Sequence, residues 1–383
     1  GTWWFLPWHR MYLIQFERII AHLTETPNFA LPYWDYPSAA QAEIPPAFLE
    51  TTSPLYDGTR VSRQIPDLQP DWIRAETFTL LGGGVANRPA HHGADTGFLE
   101  QNPHNLVHGS VGGDMASFQS PLDPLFWIHH CNVDRLWEVW RSLPVHANPR
   151  TDDWLNSRFD FPDPTNRRKQ WAVSEVGITT GGGYEYDSLA VVVDRVDRIT
   201  TVGVMGPSGD FDDDDVAALT DAFEGSGAPL DPVTDAGIEL VGASISATRK
   251  TPAGEGAEVT LETPIEMPVH IDGLNVIESR PPPTLLLRLE NLGIEGGDAS
   301  EMWSVFASVD DGDRHLVGTI VPFGLAGLTR AGGRQTLTFD ISRLASEFAA
   351  APGSRLRVTC EPVDDRVQHE PFWERAAIYK AGG

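Results

Sequence analysis

The sequence predicts a mainly α N-terminal domain followed by an all-β sandwich, and three patterns carry that reading. Residues 7–20 and 124–140 place apolar side chains at helical spacing, so each forms a helix with one stripe turned inward. From Ile238 onward the period changes to two, in AEVTLET, TLLLRLENL, SVFASVDD, HLVGTIVPF, QTLTFDI and SRLRVTCEPV. Short alternating strands separated by turn residues are the pattern of an antiparallel sandwich. Between the two lies GPSGDFDDDDV and GSGAPLDPVTDAG, a polar stretch suited to a solvated linker and to protease access. The expected domains are therefore residues 1–203, a linker over 204–237, and residues 238–383.

Composition bounds the partners. A chain of 383 residues with 41% hydrophobic residues and 12 Trp exceeds one ordinary core and can bury two. Its net charge of −26 argues against nucleic acid or an anionic membrane surface. No apolar run approaches the roughly 20 residues a membrane-spanning helix needs. With only Cys131 and Cys360, there is no disulfide framework.

In the first helix His9, Leu13, Phe16 and Ile20 share a face, which puts the imidazole on the buried stripe. Residues 37–101 read as loops with short helices, one over 70–81. His91 and His92, in AHHGADTG, read as a solvated loop pair. Residues 102–140 then hold four of the 12 histidines. Pro103 suits a first helical turn, so His104 and His108, four apart, are expected on one helical face. Asp123 is placed to cap the next helix with Pro124 at its first position. Phe126, His130, Val133, Trp137 and Trp140 form its stripe, with His129 expected to rotate away. Three histidines facing one interior without a cysteine fit Zn, Cu, Fe or Ni better than a hard cation. Glu100 reads as an acidic residue favouring a helix N-terminus, and Gly109 as part of a helix end.

These residues also carry a resemblance. PHNLVH with DPLFWIHHCNVDRLW is similar to the second copper motif of the tyrosinase, catechol oxidase and haemocyanin group, and GTWWFLPWHRMYLIQFE to the first. LPYWDY resembles the segment that follows that group's first copper motif, and DDWLNSRFDFPD and the Tyr184-Glu185-Tyr186 pattern resemble segments of plant polyphenol oxidases. The resemblance implies a four-helix-bundle dicopper centre, with His104, His108 and His130 holding CuB. It makes His9 one ligand of CuA, whose other two histidines would lie before Gly1, outside these 383 residues. It further implies that Glu100 and Asn105 hold a proton-accepting water and that Gly109 borders the substrate entrance. Asp134 and Arg135 are expected to anchor the helix or orient ligands.

The activity implied is oxidation of small phenols by O2: hydroxylation of monophenols and conversion of o-diphenols to o-quinones, as in a tyrosinase-like polyphenol oxidase. The C-terminal domain would keep such an enzyme latent until a protease acted at the linker. Strict catechol oxidase or o-aminophenol oxidase chemistry is the alternative within the same site. A haemocyanin-like oxygen-binding protein is the alternative from another class.

Overall fold

The computed structural model describes residues 2–38, 41–65, 71–84, 96–143, 146–190, 238–243, 251–261, 284–296, 301–310, 312–349, 353–365 and 367–381. Two compact units emerge, Gly1–Ala90 with Gly97–Asp210, and His91–Thr96 with Phe211–Gly383. His91, His92 and the expected linker over 204–237 lie outside the described residues.

The first unit is built on helices. Helix α1 spans Phe5–Leu23, longer at both ends than the expected 7–20, with Pro7 still in its first turn, where a missing N–H costs nothing. The helix expected over 70–81 is two pieces, a 3-10 turn Asp71–Arg74 and α2, Phe78–Gly82, capped by the Thr77 hydroxyl accepting from Leu80 N. The chain kinks at Asn102, and Pro103 opens the helical stretch that carries both His104 and His108, as expected. Glu100–Asn105 is a π-turn in which Asn102 takes extended backbone (φ −144°, ψ 116°), the conformation forced on a residue before proline. The π-turn passes without a break into α3, Leu106–Val111, Asn105 and Leu106 both keeping helical backbone, so His104 in the last part of the turn and His108 in α3 share one helical run.

Helix α4, Leu125–Ser142, is the centre of the unit, and every residue from Leu125 through Trp140 is buried. Asp123 caps it as expected: its Oδ1 accepts from Leu125 N at 2.8 Å. The same carboxylate takes Arg60 Nε at 2.8 Å and a second guanidinium nitrogen at 2.5 Å. Around α4 pack Leu13, Trp34, Tyr36, Ile44, Phe48 and Val107, and Phe16 stacks on Trp127 at 3.4 Å. A two-stranded antiparallel hairpin, β1 (Arg158–Pro162) and β2 (Arg168–Ala172), follows.

The second unit is β, as the alternation predicts. Its strands are β3 (Ile238–Ala243), β4 (Thr251–Pro252), β5 (Ala257–Leu261), β6 (Thr284–Ile294), β7 (Trp303–Val309) and β8 (His315–Ile320). Then come β9 (Gln335–Asp340), β10 (Arg355–Pro362), β11 (Pro371–Trp373) and β12 (Arg375–Ala381). Among the described residues they join in one ten-stranded sheet, ordered β4-β11-β6-β12-β3-β5-β10-β7-β8, with β9 paired to β6. Long β6 hydrogen-bonds β9 on one edge and β12 on the other, so one ladder runs on into the next. In β7 the burial alternates strictly, and Trp303, Val305, Ala307 and Val309 point into a core shared with Leu285, Leu287 and Leu289 of β6. Both cysteines are buried free thiols.

Candidate metal centre

His104, His108, His129 and His130 are brought together by the turn, α3 and α4, each offering one ligand atom within 4.8 Å of the others'. All four are buried. His9 of α1 stands outside that group and faces it, its ring stacked on His130 at 4.3 Å between centroids and 12° between planes.

Hydrogen bonds fix three of the rings. His9 Nδ1 donates to the Phe5 carbonyl at 2.8 Å, one turn back on α1. His108 Nδ1 donates to the Met115 carbonyl at 2.6 Å, and His104 Nδ1 to the Asn105 Oδ1 at 2.9 Å. Since a carbonyl oxygen only accepts, each Nδ1 carries the proton and each Nε2 keeps its lone pair. The Nε2 atoms of His108 and His130 are 3.2 Å apart. Two nitrogens each about 2.0 Å from one tetrahedral ion are separated by about 3.3 Å, so this spacing suits two ligands of one metal.

The walls are aromatic. Phe126 lies 4.1 Å from the His130 ring and Phe5 4.7 Å from the His104 ring. Burial among such groups disfavours the imidazolium. It lowers His9 to about 4 and His108 to about 3, partly opposed by their backbone hydrogen bonds. His104, His129 and His130 are held well below the ordinary histidine value, first by burial and then by mutual repulsion. At neutral pH the cluster is a set of uncharged nitrogen donors, the form that binds copper and other borderline metals.

His129 is a correction. It does not rotate away: it is fully buried and lies 4.8 Å from the His108 ring. Successive helical residues differ by about 100°, and on a helix buried all round both can flank one interior. The sequence signal that would have found it is the absence of any exposed face in FWIHHCNVDRLW.

Glu100 opens the π-turn and is buried, and Asn105 closes it with its amide oxygen engaged by His104. Gly109 is buried within α3. Asp134 pairs with Arg10 rather than with a histidine, and Arg135 pairs with Asp35 at 3.0 Å while donating to the Ser188 carbonyl at 2.7 Å.

The common central domain of tyrosinase matches residues 1–60 and 50–143. A tyrosinase of Hahella sp. (strain CCB-MM4) is 37% identical over 218 residues, 49% of this chain and 46% of that protein. The latent form of a chloroplastic polyphenol oxidase from Prunus armeniaca is 35% identical over 199 residues, 42% of this chain and 33% of its own. The chain thus spans less than half the length of these curated relatives. In fold it is similar to latent apple tyrosinase, with a TM-score of 0.65 at 18% identity over 99% of this chain and 83% of that one. Latent aurone synthase gives 0.63 at 20% identity, over 100% and 77%. With the central-domain match laid over a buried histidine cluster on the expected helices, residues 1–143 carry the common central domain of tyrosinase, and the chain is similar in sequence to tyrosinases and polyphenol oxidases.

Proposed function

We propose that the protein oxidises small phenols with O2, hydroxylating monophenols and converting o-diphenols to o-quinones. The observation that carries this reading is the buried, uncharged histidine cluster on the family's central domain. In it His104, His108 and His130 would hold one copper, CuB, and His9 would contribute to the other, CuA. Copper bound there supplies O2 activation and electron transfer. In the balance, two o-diphenols each give up two electrons and two protons, and one O2 becomes two waters.

The chain's own residues do the rest. Asn105 and the Phe5 and Met115 carbonyls fix the Nδ1 protons, so that the Nε2 lone pairs of His104, His9 and His108 face inward. Phe5 and Phe126 exclude bulk water from the cluster. Glu100, at the entrance to the same turn, accepts the phenolic proton through a water shared with Asn105. Gly109 leaves the side of the entrance beyond His108 without a side chain.

The second unit holds the enzyme latent until the sequence over 204–237 is cut. Support comes from the fold likeness to latent apple tyrosinase and from the acidic, Gly- and Pro-rich composition of that stretch. The test is to load the protein with copper, treat it with a protease, and follow quinone absorbance with tyramine, catechol and o-aminophenol under O2. Turnover that rises after cleavage is expected. Absence of turnover with every substrate, before and after cleavage, overturns the enzymatic reading; turnover that cleavage leaves unchanged overturns latency alone.

A further inference from the structure

The two helices whose histidines stack are also tied together by a buried polar group next to the stack. Arg10 follows His9 on α1, and Asp134 follows His130 by one turn on α4. Arg10 Nε donates to Asp134 Oδ1 at 2.6 Å, and another guanidinium nitrogen stands 2.9 Å from Glu138. The guanidinium lies 3.9 Å over the Trp137 ring. Two tyrosines 50 and 52 residues further on in the chain complete the group. Tyr184 and Tyr186 both direct their hydroxyls to Asp134 Oδ2, Tyr186 at 2.6 Å. The Tyr186 oxygen is also 2.9 Å from the carbonyl of Cys131, the residue after His130.

A buried ion pair gives little stability beyond an apolar pair of the same volume, because desolvating both charges offsets their attraction. What this arrangement adds is direction. Asp134 receives Arg10 on one oxygen and two hydroxyls on the other, so its position on α4 is fixed relative to both α1 and the 184–186 segment. Those constraints act one turn from His130 and one residue from His9, where a change in helix approach alters the distance between the two rings.

We propose that Arg10, Asp134, Tyr184 and Tyr186 are positioning residues for the metal centre, setting the approach of His9 to His130 and with it the separation of the two coppers. This rests on the dicopper reading above. None of the four belongs to the histidine cluster. Removing the tyrosine hydroxyls leaves shape and burial nearly unchanged and releases the second oxygen of Asp134 together with the Cys131 carbonyl.

The test compares wild type with Tyr184→Phe/Tyr186→Phe in the copper-loaded protein, by copper content, electron paramagnetic resonance and turnover. Two Cu(II) ions held close together couple and give no resonance signal. The expected result is that the variant keeps its copper, shows a Cu(II) signal absent from wild type, and loses about 10- to 100-fold in kcat, the usual effect of removing partners one shell out from the ligands. A variant that stays silent with unchanged kcat overturns the proposal. A variant that melts lower but stays silent shows a merely structural role and overturns it as well. Tyr186→Phe alone is read by the same criteria if the double variant does not fold. A wild type that binds one copper and gives a signal defeats the dicopper reading itself, a separate outcome.

Discussion

His108 on α3 and His130 on α4 face each other through their Nε2 atoms at 3.2 Å, deep in the first unit. His108 cannot be the donor in that contact, because its proton is on Nδ1 and committed to Met115. Replacing it removes one of two facing donors. His108→Ala is therefore expected to lose the copper bound at this group and all phenol oxidation. Metal analysis after loading checks this, and full copper content would contradict it.

Asn105 acts one step out. Its amide oxygen is the acceptor that holds the His104 proton on Nδ1 at 2.9 Å. Asn105→Leu leaves that N–H unpaired in a buried place and frees the ring to turn. Copper affinity is expected to fall about 10- to 100-fold, with Asn105→Asp, which keeps an acceptor, less affected. Competitive titration against a chelator gives the comparison.

The cluster makes the copper-free protein sensitive to acid. His9 is lowered to about 4 and His108 to about 3 in the folded state, chiefly by burial. An unfolded chain takes up these protons near 6.5, whereas the native state refuses them until much lower pH. Between those limits the unfolded state binds more protons, so stability is intact above about 6.5 and falls as pH falls. Each such histidine contributes a slope approaching about 1.4 kcal/mol per pH unit in that window. Urea denaturation of the copper-free protein at several pH values from 7 down to 4.5 is expected to show midpoints that decline on acidification. Midpoints that hold constant or rise would contradict the neutral cluster.

Asp123 serves two roles at the head of α4. It is fully buried, pairs with Arg60 through both oxygens and caps the helix through Leu125 N. Asp123→Ala strands the guanidinium and is expected to cost about 3–5 kcal/mol, the range for breaking one side of a buried pair. Chemical denaturation measures it. The change also loosens the helix that carries His129 and His130, so copper binding should weaken in parallel.

The sequence made the helical stripes of α1 and α4 legible because apolar side chains recur there at the helical period. The same logic misplaced His129: a stripe argument assumes that the opposite face meets solvent, and α4 has no such face from Leu125 through Trp140. Pro103 signalled the start of the helical run that carries His104 and His108, but not that the residues before it, from Glu100, form a π-turn kinked at Asn102. In the β unit, alternation located the strands. Their order was not legible, since hydrogen bonding between β3 and β12, or between β6 and β9, joins residues far apart in sequence. The partners of Asp134 were hidden for the same reason.

Tyr184 and Tyr186 also impose an order of events on synthesis. A chain emerging N-terminus first at about 5–20 residues per second presents His9 and the four clustered histidines before either tyrosine exists. Until they arrive, Asp134 has only Arg10 and the approach of α1 to α4 is not yet set. Copper captured by the nascent protein would meet soft geometry, whereas copper delivered after residue 186 has docked would meet a rigid one.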